Sequence, residues 1–175
     1  HPAPQTFEEA TDKMWQTSEA WRQWINIGHF PDHPWRAYLQ RSALTLKGLT
    51  YSPTGALLAA STTSLPETPQ GERNWDYRYA WVRDSTFALW GLYTLGLDRE
   101  ADDFFSFIAD VSGANNGERH PLQVMYAVGG ERELVEGELD HLSGYDGARP
   151  VRIGNGAYNQ RQHDIWGTML DSVYL

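Results

Sequence analysis

The run Glu72-Arg73-Asn74-Trp75-Asp76-Tyr77-Arg78-Tyr79-Ala80-Trp81-Val82-Arg83-Asp84-Ser85 is the densest stretch of chemistry in this 175-residue chain. Four rings fall between positions 75 and 81, and Arg73, Arg78 and Arg83 interleave with Glu72, Asp76 and Asp84. The run joins a Pro-, Gly-, Ser- and Thr-rich loop over residues 52–74 to a helix expected over residues 84–95, which Gly96 ends. A loop that long inside a compact chain is usually functional or disordered. Arg83 and Asp84, side by side, can donate to and accept from neighbouring hydroxyls, as vicinal sugar diols require. Asp84 fits an ordinary helix N-cap equally well, with Arg83 as its surface partner, and spacing leaves both readings open.

Outward from that run the chain reads as mostly helical. Thr6 and Glu9 form a capping-box signature for a helix over residues 7–27 with Gly28 as its stop; Phe7, Ala10, Met14, Trp21, Trp24 and Ile25 make its apolar face. Asp32 is the expected cap of a second helix to about residue 49, with Trp35, Tyr38, Leu39, Leu46 and Leu49 buried. Ala56 to Ala60 could form one helical turn. Asp98 is read as the cap of a fourth helix carrying Phe104, Phe105, Phe107, Ile108 and Val111, broken by the Gly113 to Gly117 stretch. Residues 124–128 and 131–136, joined by Gly129-Gly130, read as a β-hairpin. The last helix is expected over residues 158–175. It is apolar along one broad face, so the chain reads as a piece of something longer. The fold class is therefore all-α with a small β-hairpin.

Composition narrows the function. The net charge of −9 disfavours nucleic acid, which wants clustered Lys and Arg. No apolar run approaches the roughly 20 residues of a membrane helix. Zero cysteines remove disulfides, thiolate zinc sites and cysteine nucleophiles, and suit a soluble cytoplasmic protein. His29 and His33 are four apart, but Pro31 between them spoils a helical metal pair. Aromatic residues make up 13 %, with eight Trp, and by composition alone core filler in a helical protein is the leading reading of them. Rings beside Asp, Arg and Asn can stack on the flat face of a pyranose while the polar groups take its hydroxyls.

A second cluster, Arg149-Pro150-Val151-Arg152-Ile153-Gly154-Asn155, has two arginines flanking a stiffening proline. Beyond it Gln160, Gln162 and Asp164 either line a polar pocket from the start of the last helix or face solvent. Glu131, Glu133, Glu136 and Glu138 alternate, which reads as one solvated strand face.

The 72–85 run, the Ser61-Thr62-Thr63-Ser64-Leu65-Pro66-Glu67 lead-in and the Arg149 to Asn155 stretch together resemble glycoside hydrolase family 15. That family holds glucoamylases, glucodextranases and trehalases, and the segment is most similar to the actinobacterial trehalases. The resemblance implies part of an (α/α)6 barrel, the glucoamylase-like toroid of twelve helices. Residues 1–30 would be a linker helix region following an N-terminal β-sandwich, and residues 31–175 the first part of the barrel. By resemblance, Trp81, Arg83 and Asp84 hold the non-reducing glucose, Tyr77 steadies the catalytic base, and Arg149 lines the pocket near the scissile bond. The implied reaction is inverting hydrolysis of α,α-trehalose. Its general acid and base are expected after Leu175, so the chain alone is expected to be inactive. Other α-glucosides are the alternative substrates, and a non-catalytic sugar-binding module the alternative class. Phosphate and Mg²⁺ dependence and a homo-oligomer are further implications of the resemblance.

Overall fold

A computed structural model describes residues 2–114, 117 and 120–174. Helix α1 (Phe7–Ile27) starts where Thr6 Oγ1 accepts from the Glu9 amide at 3.1 Å. The Glu9 carboxylate returns to the Gln5 amide at 2.7 Å, one residue earlier than a standard capping box. Gly28 stops the helix in an extended conformation (φ −69°) rather than a left-handed one. None of α1's side chains is buried; Phe7 and Met14 stand in the open, and only Trp24 and Ile25, near its end, pack on the cluster of Phe30, Ala43, Leu92 and Leu97.

Helix α2 (Arg36–Gly48) is not capped by Asp32. Trp35 is the N-cap, without a side-chain capping bond, and His33 closes the turn before it: its carbonyl accepts from the Arg36 amide (2.9 Å) and its Nδ1 from the Trp35 amide (3.2 Å). Trp35 and Tyr38, expected inside, are exposed and pack on each other at 5.3 Å between ring centroids, while Leu39, Ala43 and Leu46 face the core. Residues 56–60 form no helical turn. Strand β1 (Thr50–Tyr51) and strand β2 (Ala56–Leu57) make an antiparallel hairpin instead.

The rest of the expected loop is tied to the aromatic run. Ala59, Ala60 and Ser64 donate their amides to the carbonyls of Tyr79, Tyr77 and Trp75, and Thr63 bridges Asp76. Strand β3 (Ala80–Trp81) leads directly into helix α3 (Val82–Thr94). Its end is a Schellman motif: Leu97 N–H reaches Leu92 O, Gly96 N–H reaches Tyr93 O, and Gly96 takes φ +70°. Leu92 and Leu97, both buried, supply the apolar contact that accompanies it.

Helix α4 (Arg99–Val111) follows, although the Asp98 side chain makes no capping bond. Phe104, Phe107 and Val111 enter the main core beside Val82, Leu89 and Tyr126. Ser112 ends the helix before the expected Gly113 to Gly117 break, of which Asn115 and Asn116 lie outside the described residues.

The hairpin expected over 124–136 is only its turn. Gly130 N–H bonds Ala127 O and Ala127 N–H bonds Glu131 O, but strand β4 (Met125–Tyr126) pairs with β3 and residues 131–136 form no strand. Met125 and Tyr126 are both fully buried, so each needs apolar cover on its own face, which no solvated hairpin partner provides. Strand β5 (Gly137–Glu138) pairs with strand β6 (Arg152–Ile153). A short 3-10 turn at Gly156–Asn159, capped by Asn155, precedes helix α5 (Asp164–Tyr174), which begins later than expected and packs along α3.

One buried acid clasps three helices. Glu100 of α4, 2 % exposed, accepts from Trp24 Nε1 of α1 at 2.9 Å and from Lys47 Nζ of α2 at 2.6 Å. Glu100→Ala leaves both donors unmatched, and we expect the full-length protein to lose about 2–3 kcal/mol. Glu100→Gln, which keeps an acceptor for Trp24, should recover part of that. Urea midpoints of the three proteins are the check; equal midpoints would remove the clasp from the stability of the fold.

Candidate functional site

The backbone alternates through the aromatic run, which sorts its side chains. Asn74, Asp76 and Ala80 turn inward and are fully buried, while Tyr77 stands on the other side, 39 % exposed. Its ring packs on that of Trp81 with centroids 6.0 Å apart and planes at 58°. Trp81 occupies the N-cap position of α3, and its Nε1 is buried without a hydrogen-bond partner among the described residues. A buried indole N–H without a partner is an unmet donor.

Arg83 and Asp84 follow in the first turn of α3. The cap reading of Asp84 therefore fails, because the helix begins two residues before it. Its carboxylate is half-exposed and lies 3.6 Å from Arg83 Nη2. Arg83 reaches across to the start of α5: Nη1 donates to Asp164 Oδ2 at 2.9 Å and to Gln162 Oε1 at 3.2 Å. That hydrogen bond holds the Asp164 carboxyl below the ordinary carboxylate range and raises Arg83 further. Burial, then the charge of Glu67, and more weakly that of Asp84, push the Tyr77 phenol up, so it stays protonated as a donor. Around the N-terminal end of α3 there are thus two pairs, the Tyr77 and Trp81 rings and the Arg83 and Asp84 charges. Asp84 also lines a small cleft with Leu46, Leu57 and Ala59.

Arg149 is placed elsewhere. It is exposed, precedes a cis peptide to Pro150, and lines an open cavity of about 390 Å³ with Glu72, Glu138, Asp140 and Arg152. Glu136 and Glu138 are not a free strand face either: Arg152 lies 3.3 Å from the first and 3.8 Å from the second, and stacks over Trp75 at 4.6 Å.

The residue that sequence reasoning passed over is Asp76. Although burial alone would raise it, Arg78 outweighs burial through hydrogen bonds and charge, and the carboxyl sits below its ordinary value. Arg78 donates to it three times (Nε 2.9 Å, Nη2 2.8 Å, amide 3.1 Å), and the Gly154 amide at 3.3 Å. Asn155 Nδ2 donates to the Asp76 carbonyl at 2.9 Å. Gly154 sits at φ +78°, where a Cβ would overlap the Val135 carbonyl, so only glycine brings that amide to Asp76. The signal the sequence offered was an acid and an arginine two positions apart, Asp76 and Arg78.

With the geometry set out, similarity to known proteins decides the family. The model of glycosyl hydrolases family 15 matches residues 34–175. The chain belongs to that family. Of the five described helices, α2 to α5 lie within the matched residues and are part of the (α/α)6 toroid that the family implies, with small antiparallel strand pairs between them. A trehalase from Mycolicibacterium smegmatis is 92 % identical over 175 residues, all of this chain and 26 % of that protein. A trehalase from Mycobacterium tuberculosis is 89 % identical over the same length, and one from Thermoplasma acidophilum 40 % identical over 162 residues, 93 % of this chain and 27 % of that protein. The chain spans about a quarter of the length of these curated relatives. No solved structure matches it.

Proposed function

We propose that the chain is the glucose-holding part of an inverting glycoside hydrolase whose substrate is α,α-trehalose. The observation that carries this is the pair of rings, Tyr77 and Trp81, and the pair of charges, Arg83 and Asp84, around one helix start, with the Trp81 indole N–H unmatched. Ring faces accept the apolar side of a pyranose, and the Arg83–Asp84 pair matches adjacent hydroxyls as donor and acceptor. The names of the relatives support trehalose over other α-glucosides. In an inverting reaction one carboxylic acid protonates the glycosidic oxygen while a carboxylate about 6.5–9.5 Å away activates water. Both belong, in this proposal, to the length that the relatives have and this chain does not span.

The same proposal takes residues 1–30 as a leading helix region and 31–175 as barrel, supported by the absence of buried side chains along α1. It includes a cytoplasmic setting and self-association, consistent with zero cysteines. No described helix is long and apolar enough to cross a membrane. Phosphate and Mg²⁺ dependence of the full-length protein belong to the same proposal and rest on the resemblance alone; among the described residues no group of three or more His, Asp or Glu side chains is placed to hold a metal ion.

Asp84→Asn in the full-length protein is the test. Charge-assisted hydrogen bonds are worth about 1.5–3 kcal/mol, so kcat/KM for trehalose should fall at least roughly tenfold. Loss of one first-turn charge costs the helix only about 0.3–1 kcal/mol. Turnover of maltose or isomaltose in place of trehalose by the wild type would move the substrate to another α-glucoside. Sugar binding without any turnover would point to the binding module.

A further inference from the structure

Arg83 is a long side chain on the rim of the site, 35 % exposed, with a guanidinium that can point many ways. What holds it is not on its own helix. Asp164 and Gln162, 81 and 79 residues further along the chain, take its Nη1 edge from the start of α5. Gln162 is itself oriented: its Nε2 donates to Gln160 Oε1 at 3.0 Å, which leaves Oε1 as the atom facing Arg83. Residues 160 and 162 are two apart in the irregular stretch before α5, and Asp164 opens the helix, where a negative charge is favoured. With one edge of the guanidinium occupied by Asp164 and Gln162, its Nη2 is the nitrogen that lies beside Asp84.

We propose that Asp164 and Gln162 are positioning residues for Arg83, fixing its guanidinium so that the Nη2 edge and Asp84 together meet the hydroxyls of one glucose ring. This deepens the function proposed above and rests on it. An exposed ion pair contributes little to stability, typically under about 1 kcal/mol. A merely structural pair would therefore leave both stability and catalysis close to unchanged. A positioning pair would leave stability unchanged and weaken sugar binding, because a guanidinium free to rotate must be ordered each time substrate enters.

The experiment is a double-mutant cycle in the full-length protein, with trehalose kinetics and thermal midpoints read together. Asp164→Ala is expected to raise KM about fivefold or more, with kcat changed less and Tm within about two degrees of wild type. Gln162→Ala should act in the same direction and more weakly, and Gln162→Glu should retain most of the wild-type KM. In an Arg83→Ala background, Asp164→Ala should cost nothing further, since the group it positions is gone. Additive effects in the cycle, or an unchanged KM for Asp164→Ala, would overturn the proposal. A wild-type protein that fails to turn over trehalose sinks the substrate instead. The cycle is then read on D-glucose binding by calorimetry, where the same non-additivity is required and its absence counts against positioning.

Discussion

The isolated 175-residue chain is expected to hydrolyse trehalose at least about 10⁴-fold more slowly than the full-length protein. A general acid and a general base each contribute roughly 10²–10⁴, and both are proposed to lie in the part of the relatives that this chain does not cover. The acidic residues at hand do not replace them. Glu136 and Glu138 are drawn onto Arg152, and Glu136 also accepts from the Gly156 amide at 3.2 Å, so neither is poised over the ring pair of Tyr77 and Trp81. The assay needs protein free of host glycosidases, with far-UV circular dichroism on the same sample to show the helices are present. Turnover within a hundredfold of the full-length rate would bring the glutamates between 131 and 138 back as candidates and displace the proposed division of labour.

Asp76→Ala should be the most destabilising single change in the site region, at about 3–5 kcal/mol, the cost of removing one partner from a buried ion pair. Arg78 is partly exposed and can turn to water, which favours the lower end of that range. The Gly154 amide keeps the Tyr79 hydroxyl, which accepts from it at 3.1 Å, so the loss falls chiefly on the Arg78 bonds. Asp76→Asn keeps an acceptor for the Arg78 and Gly154 amides and should cost about 1–2 kcal/mol. The two proteins also separate by pH. Since the folded Asp76 lies below its unfolded value near 3.9, its contribution is complete above that value and is lost as pH falls through the folded one. The drop in urea midpoint as pH is lowered from about 4 should thus be shallower in Asp76→Asn than in wild type. Parallel drops in the two would mean that the carboxylate is not ionised in the fold.

What the sequence by itself determined is what neighbours along the chain can decide. Thr6 and Glu9 start α1, and Gly96 with Leu92 and Leu97 ends α3, since capping and the Schellman bonds close within five residues. The candidate site was proposed from the same kind of local signal: Tyr77, Trp81, Arg83 and Asp84 lie within eight positions, so a strand-to-helix junction alone brings their backbones close, whereas Arg149, proposed with them, lines a separate cavity. Helix starts without a side-chain cap were not, as α2 shows, where Trp35 after a His33 turn takes the place expected of Asp32. Only the tertiary structure decided that Met125-Tyr126 pairs with Ala80-Trp81, that Asp76 receives the Gly154 amide, and that Arg83 is held by Asp164. Those contacts span from about 45 to 81 residues. Strands of two residues carry no periodic signal, and a lone carboxylate carries no mark of its partner. Such pairings are settled by which distant groups the packed helices bring together, where each buried donor must find an acceptor and each apolar residue its cover.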